Sequence, residues 1–276
     1  MKIEPQQKNY LRPSYIYVSD QATVNKCLKA LTKVSRCAID TEADSFHHYY
    51  EKVCLIQLSF AGCNYIIDPF ADIDLSGFFK ELSRKELIIH GADYDLRMLK
   101  SSFGFEPRAG VFDTMIAAQL LGYEKIGLAA LVEKFTPDRM SKKFQKADWS
   151  KRPLKSELLD YAIKDTLYLE HIADQLAQKL ENLGRTAWAK QSFEKVVKNT
   201  AVKKSPKKEK WRIKGTRNLN PQQLTVVRQI WKWRDALARK KDLPPFKIMA
   251  NHLILDLARW SINVQKIDLA DFHRLP

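Results

Sequence analysis

The stretch CAIDTEAD, residues 37–44, decides how this chain is interpreted. Its apolar start, Cys37 to Ile39, is typical of a strand that enters a hydrophobic core. The carboxylates Asp40, Glu42 and Asp44 then follow at alternate positions, so an extended chain presents all three on one face. Like charges on one face repel one another. This face therefore either lies in open water or holds something positive.

The composition indicates a globular protein with a basic surface. The chain has 276 residues, of which 45% are hydrophobic and 29% charged, and its formal net charge is +15. That length allows one sizeable core and a second, small domain. A positive balance of this size attracts polyanions, which makes nucleic acid the first partner to consider.

The sequence shows no signal for export or membrane insertion. It has no apolar run of the roughly 18 residues that a membrane span needs. Its N-terminus, MKIEPQQKNYLRPS, has no apolar region of a signal peptide. We therefore expect a cytoplasmic protein with no membrane partner.

The four cysteines do not form a metal-binding pattern. None of them is in a CxxC spacing, so a zinc site is not expected. In a reducing compartment we expect all four to be small buried apolar residues. They are Cys27, Cys37, Cys54 and Cys63.

Apolar and β-branched segments alternate with helical patterns over the first two thirds of the chain. This alternation predicts an α/β core with a mixed sheet. Neither a dinucleotide-binding fingerprint nor a P-loop motif is present. The predicted strands are 15–18, 36–40, 53–60, 64–70 and 86–91. The predicted helices are 21–33, 75–83, 94–102, 113–121, 127–134 and 155–182.

The C-terminal part of the chain differs in amino-acid composition from the part before it. Nine of the twenty residues in 198–217 are Lys or Arg, and we interpret 201–217 as a basic linker after a core domain of residues 1–200. Asn220, Pro221 and Gln223 then have the pattern of a capped helix start. Residues 218–276 are therefore expected to form a small all-α domain.

Further carboxylates follow other predicted elements. Asp93 and Asp95 come directly after the strand ELIIH, and Tyr161 and Asp165 are spaced to lie on one face of a helix. Asp40, Glu42, Asp95 and Asp165 can then converge from two strand ends and one helix. Four carboxylates together ionise only if divalent cations compensate them, and two such ions suit phosphoryl transfer.

Six segments resemble the RNase D family in sequence and order. They are IDTEADS, YYEKVCLIQLSF, HGADYDLRML, FDTMIAAQLLG, KKFQKADWSKRPL and YAIKDTLYL, and the resemblance covers about residues 12–195. RNase D belongs to the DEDD 3'-5' exonucleases, in the branch with a tyrosine before the last aspartate. The resemblance implies an RNase H-like exonuclease core with a mixed sheet flanked by helices. The tail resembles an HRDC domain more loosely.

The resemblance implies a role for each of these residues. Asp40, Glu42, Asp95 and Asp165 would bind two divalent cations, Mg²⁺ or Mn²⁺, and Tyr161 would orient the attacking water or help to deprotonate it. The family spacing selects Asp95, five positions after its histidine, so Asp93 and Asp44 are expected to be bystanders. Four further residues are expected to contact nucleic acid. They are Thr41, His90, Trp149 and Arg152.

The function implied is a 3'-5' exoribonuclease that releases nucleoside 5'-monophosphates from RNA 3' ends, with tRNA precursors as substrates. Two alternatives stay open from the sequence: a DNA exonuclease with the same site, and a catalytically silent nucleic-acid-binding module. No obligate protein partner is evident. The tail has room for one helical module, and the sequence leaves open whether the chain is truncated there or naturally short.

Overall fold

The computed structural model describes residues 14–141, 143–201 and 210–261. The chain divides into two compact units. The first comprises Met1–Asp44 and Lys52–Val202, and the second comprises Ser45–Glu51 and Lys203–Pro276. Within the described residues, no helix is both long enough and apolar enough to cross a membrane.

The first unit is built on a six-stranded sheet with the order β1-β4-β3-β2-β5-β6. The pairs β2–β3 and β3–β4 are antiparallel, whereas β1–β4, β2–β5 and β5–β6 are parallel, which confirms the predicted mixed sheet. Strand β6 was not predicted, because three residues are too few to show a period. The strands are β1 Ile16–Val18, β2 Arg36–Ala43, β3 Val53–Phe60, β4 Cys63–Ile67, β5 Glu86–Ile89 and β6 Val111–Asp113.

Nine helices of the first unit fall within the described residues. The predicted helix 155–182 is three successive helices, which are interrupted at Ile163 and Tyr168 although the sequence has no Gly or Pro there. Helix α9 was not predicted. The helices are α1 Gln21–Leu31, α2 Ser76–Leu82, α3 Asp93–Phe103, α4 Thr114–Leu120, α5 Leu128–Phe135, α6 Ser156–Ala162, α7 Lys164–Leu167, α8 Leu169–Asn182 and α9 Thr186–Ala201.

Apolar clusters cover both faces of the sheet. On one face, Ile39 and Leu58 pack with Leu31, Phe78 and Leu99 from helices α1 to α3. The opposite face contains two smaller clusters. Their buried members are Ala38, Ile88, Leu169 and Ala173 in one, and Cys54, Leu55, Ile66, Trp149, Ala162 and Ile163 in the other. Strand β3 is buried along its whole length, so it is the centre of the fold.

Three of the four cysteines are buried, as predicted, and all four are free thiols. The prediction is wrong for Cys63, which is exposed. Cys63 begins β4 directly after a tight turn in which Ala61 and Gly62 have φ angles of 48° and 74°. The position is therefore at the edge of the turn rather than inside the strand.

The carboxylate of Asp113 fixes the starts of two helices. Asp113 is 1% exposed and accepts N–H bonds from Met115 (2.9 Å) and Ile116 (3.2 Å), which caps α4. It also accepts the N–H groups of Gly91 (3.1 Å) and Ala92 (2.8 Å), where the chain turns from β5 into α3. One buried side chain thus links β6, α4 and the start of α3.

The second unit is helical. Its helices are α10 Pro221–Lys241, α11 Pro245–Ile248 and α12 Asn251–Trp260. The predicted capping box is confirmed, because Asn220 and Gln223 bond each other reciprocally at 2.9 and 3.0 Å. Within the described residues, its core is formed by Leu219, Val227, Ile254, Leu255 and Ala258.

The linker differs from the prediction. Trp211 and Ile213 pack against the core of the second unit, and a 3₁₀ turn follows at Thr216–Asn218. Residues 210–217 therefore belong to the helical unit, because their two apolar side chains are partly buried against its core. The rest of the predicted linker, 202–209, lies outside the described residues.

Asp113→Ala should destabilise the protein strongly. It removes the acceptor of four buried or partly buried N–H groups, and we expect a loss of about 2–4 kcal/mol in the free energy of unfolding. Asp20→Ala is the matched control, because Asp20 caps α1 from an exposed position with one bond from Thr23. We expect that variant to lose about 0.5–1 kcal/mol. Urea unfolding followed by circular dichroism measures both, and equal losses would contradict the double-cap interpretation.

Candidate active site

Asp40 and Glu42 lie on the same face of β2 as Ala38, as their alternate spacing predicts. That face is covered by α8 next to Ala38, whereas Asp40 and Glu42 lie further along the strand and are partly exposed. The register of β2 on β3 shifts after Glu42, at a bulge of the kind that often borders functional sites. This face of β2 is therefore neither fully exposed to solvent nor fully buried.

Asp165 reaches this face from helix α7. The neighbouring residue Thr166 is completely buried, and its hydroxyl is 2.7 Å from the hydroxyl of Ser59 on β3. This pair ties the short helix to the central strand. As a result, Asp40, Glu42 and Asp165 offer carboxylate oxygens that all lie within 4.8 Å of one another.

Asp95, the fourth predicted ligand, is held differently. It lies in the first turn of α3, is 6% exposed, and its Oδ1 accepts the hydroxyl of Thr41 (2.6 Å) and the N–H of Thr41 (3.1 Å). In the described part of the chain it is not a member of the 4.8 Å group. It lies close enough to raise the pKa of Asp40, Glu42 and Asp165.

The carboxylates of the site destabilise one another's charge. Burial raises the pKa of Asp40 well above its usual range, and Asp95, Asp165 and Glu42 raise it further. Burial likewise raises the pKa of Glu42, and it brings the pKa of Asp165 to about 7. Burial also raises the pKa of Asp95 to about 6, although the two bonds from Thr41 oppose the shift. Ionising all four at neutral pH needs a compensating positive charge.

This donor set fits divalent cations. Carboxylate oxygens are the ligands that hard cations such as Mg²⁺ and Mn²⁺ prefer. The carboxamide of Gln57, next to this donor set, also fits a bound, hydrated cation. Gln57 lies directly across from Asp40 on β3, is completely buried, and neither its nitrogen nor its oxygen has a hydrogen-bond partner within the described residues. The site thus contains both the negative charge and the unsatisfied polar groups that a hydrated cation would compensate.

Tyr161 lies in the last turn of helix α6, four residues before Asp165. Its ring stacks on Trp149, with centroids 6.3 Å apart and planes 29° from parallel, and Phe144 meets it edge-on at 5.7 Å. Burial raises the pKa of the Tyr161 phenol, and the charges of Asp165, Glu42 and Asp40 raise it further. The hydroxyl therefore keeps its proton at neutral pH.

Two of the residues predicted to contact nucleic acid have side chains that are engaged within the protein, and their contacts stay predictions. Trp149 is 1% exposed, so its indole face is not available to a base. All five N–H groups of Arg152 are bonded to protein acceptors, which leaves none for a phosphate. The sequence placed both residues in a loop and carried no information on these long-range contacts.

The other two nucleic-acid contacts stay predictions. The Thr41 hydroxyl donates a hydrogen bond to the Asp95 carboxylate. His90 Nδ1 and Thr114 Oγ1 share a hydrogen bond of 2.9 Å, and burial lowers the pKa of His90 to about 4, so its imidazole is neutral at physiological pH.

Asp93 and Asp44 both lie apart from the 4.8 Å group. The Asp93 side chain is 62% exposed and pairs with Arg97, whereas Asp44 accepts the N–H of Lys52. Sequence reasoning missed three supporting features. These are the double cap by Asp113, the Ser59–Thr166 hydroxyl pair and the buried Gln57. Only the double cap had a local signal, an Asp at the first position of the predicted helix 113–121.

A model of the 3'-5' exonuclease family matches residues 15–181. The chain belongs to this family. A model of the HRDC domain matches residues 223–260, within the helical second unit. Apart from Ser45–Glu51, the exonuclease match lies in the first unit.

Two curated relatives of the family differ greatly in length. The chain is 30% identical to Ribonuclease D of Shewanella over 260 residues, which is 93% of this chain and 67% of that protein. It is 31% identical to the exosome complex exonuclease RRP6 of Saccharomyces cerevisiae over 268 residues, which is 89% of this chain and 36% of that protein.

Solved structures of the family share the fold. Escherichia coli RNase D, an exoribonuclease involved in structured RNA processing, has a TM-score of 0.72 and 25% identity, with 95% of this chain and 69% of that chain covered. Brucella melitensis NrnC with bound Mg²⁺ has a TM-score of 0.56 and 26% identity, with 67% of this chain and 90% of that chain covered.

Asp40→Asn should not destabilise the protein in chelator. The variant keeps the shape of the side chain and removes one charge from a cluster that opposes ionisation. We expect equal stability at pH 8, or a gain of about 1 kcal/mol. Since the pKa of Asp40 is raised on folding, the penalty appears only as pH rises above the ordinary aspartate range, so any gain should shrink at pH 5.

The measurement is a set of thermal melts of both proteins in chelator and in Mg²⁺. Mg²⁺ should raise the melting temperature of the wild type and raise that of the variant much less. An Asp40→Asn protein that melts well below wild type in chelator would instead make Asp40 a structural residue.

Proposed function

We propose that this protein is a metal-dependent 3'-5' exoribonuclease that releases nucleoside 5'-monophosphates from RNA 3' ends. The observation that carries the proposal is the group of Asp40, Glu42 and Asp165 oxygens within 4.8 Å, with Asp95 beside it. Tyr161 lies four residues before Asp165, on the other side of the helix break at Ile163. Membership of the 3'-5' exonuclease family adds to this geometry.

Asp40, Glu42 and Asp165 would hold the first of two divalent cations, Mg²⁺ or Mn²⁺, and Asp40 would also help to hold the second. Oδ2 of Asp95, which takes no bond from Thr41, is the atom we assign to the second. When bound, such ions activate water and stabilise the developing charge at phosphorus. The structure of the relative NrnC with bound Mg²⁺ supports the assignment of a divalent cation to this site.

Tyr161 would orient the attacking water through its hydroxyl. Because the pKa of the phenol is raised, Oη keeps its proton and can donate one hydrogen bond and accept another. It therefore acts by positioning rather than as a base. The ring is held between Trp149 and Phe144, which limits where Oη can lie.

RNA is the substrate class we assign. Ribonuclease D and RRP6 are relatives, and the formal charge of +15 favours a polyanion. The family description does not separate RNA from DNA, so a DNA exonuclease remains the alternative to test. The complete acidic set argues against a silent binding module. Processing of tRNA precursors and a cytoplasmic location stay predictions.

Full-length protein should shorten a 5'-labelled single-stranded RNA one nucleotide at a time in Mg²⁺ or Mn²⁺. The ladder should disappear in chelator and with Asp40→Asn, because an amide is a poor ligand between two cations. The product should be nucleoside 5'-monophosphate. A matched DNA oligonucleotide run beside it separates the two substrate classes. Internal fragments, or shortening that persists in chelator, would contradict the proposal.

Tyr161→Phe removes the hydroxyl and keeps the ring packing. We expect kcat to fall by about 10² or more, because the group that orients the attacking water is lost, with the affinity for Mg²⁺ unchanged. Tyr123→Phe is the matched control, since Tyr123 packs in a cluster of the first unit that contains none of the acidic residues. Single-turnover assays measure both. Full activity of the Tyr161 variant would make the tyrosine a structural residue.

A further inference from the structure

The guanidinium of Arg152 is the centre of a hydrogen-bond junction in which all five of its N–H groups donate to protein oxygens. Nε and Nη2 bond the two carboxylate oxygens of Asp68 at 2.6 and 2.7 Å. Nη2 also bonds the carbonyl of Cys54 at 2.7 Å, and Nη1 bonds the carbonyls of Trp149 and Lys151 at 2.8 Å each. A planar fork that uses all five donors at these distances fixes its partners in position and direction.

The acidic partner of this junction is itself immobilised by the sheet. Asp68 follows β4 directly, and its side chain is 7% exposed. Besides Arg152, it accepts the hydroxyl of Tyr17 on β1 at 2.6 Å and the N–H of Phe70 at 2.9 Å. Although burial raises it, the bonds from Arg152 and Tyr17 hold the pKa of Asp68 below its usual value. Strands β1, β3 and β4 thus anchor the junction.

The other end of the junction is Trp149, whose ring stacks on Tyr161. The indole nitrogen of Trp149 has no hydrogen-bond partner in the described part of the chain. The residue is therefore held by the packing of its ring and by the bond that Arg152 donates to the Trp149 backbone carbonyl. The contacts therefore run without a gap from the sheet through Asp68, Arg152 and Trp149 to the ring of Tyr161.

We infer that the Asp68–Arg152 pair is a positioning device for catalysis, which sets the plane of Trp149 and through it the location of the Tyr161 hydroxyl. The inference rests on the proposed function. Neither Arg152 nor Asp68 contacts the acidic cluster through any bond described above, so both act through Tyr161. A misplacement of about 1 Å at a reacting group is enough to cost up to about 10²-fold in rate.

The test is Arg152→Lys in the full-length protein, assayed on single-stranded RNA. Lysine keeps the charge and loses the fork, so the bonds to Asp68, Cys54 and Trp149 cannot all be kept. We expect kcat to fall about tenfold and KM to stay within about twofold. Asp68→Asn, which weakens the same junction from the sheet side, should have the same effect and serves if the Arg152 variant does not fold.

A double-mutant cycle identifies the route of the effect. In a Tyr161→Phe background, Arg152→Lys should cause no further fall in kcat, because the group that it positions is already absent. Arg36→Lys is the matched control, since Arg36 also bonds both oxygens of a carboxylate, that of Asp174, at 2.6 and 2.8 Å. Its kcat should equal that of the wild type. A raised KM with unchanged kcat, or effects that multiply in the cycle, would overturn the inference and make Arg152 a substrate contact.

A spectroscopic measurement separates this inference from the proposed function. In protein labelled with 3-fluorotyrosine, the ¹⁹F resonance that is missing from Tyr161→Phe belongs to Tyr161. Arg152→Lys should shift or broaden that resonance, whereas Arg36→Lys should leave it in place. An unchanged resonance would overturn the positioning role. A wild type that releases no nucleotides would overturn the proposed function, whereas the resonance would still report whether the Asp68–Arg152 pair sets the position of the Tyr161 ring.

Discussion

The mutual repulsion of carboxylates on one face of β2 is the constraint on which the rest of this structure depends. Asp40 and Glu42 leave the strand on the same side, and Asp165 is brought to within 4.8 Å of them from a different element. Burial and proximity raise the pKa of each. An arrangement that opposes its own ionisation is a cost to folding, and it is explained by a ligand that carries positive charge.

The surrounding scaffold holds these acids in place without neutralising them. Asp165 is located by the hydroxyl pair of Ser59 and its neighbour Thr166, and Asp95 by two bonds from Thr41. Arginine, by contrast, is used away from the cluster, where Arg152 pairs with Asp68. Neutral hydrogen bonds inside the site and ion pairs outside it leave the negative charge available to cations.

The sequence predicted those features that depend on neighbours along the chain. Alternation gave the shared face of Asp40 and Glu42, the capping pattern gave the start of α10 at Asn220, and the resemblance to RNase D gave the family. It did not predict the breaks on either side of α7, because the hydroxyl pair that anchors Thr166 joins residues 107 positions apart. The burial of Trp149 was likewise missed.

The central claim is that the acidic face of β2 binds divalent cations, and anomalous scattering from crystals grown with Mn²⁺ tests it most directly. The account predicts anomalous peaks among the carboxylates of Asp40, Glu42, Asp95 and Asp165, with one ion touching Asp40, Glu42 and Asp165 together. Peaks elsewhere with none at these four residues, in crystals whose carboxylates keep the arrangement described here, would contradict it.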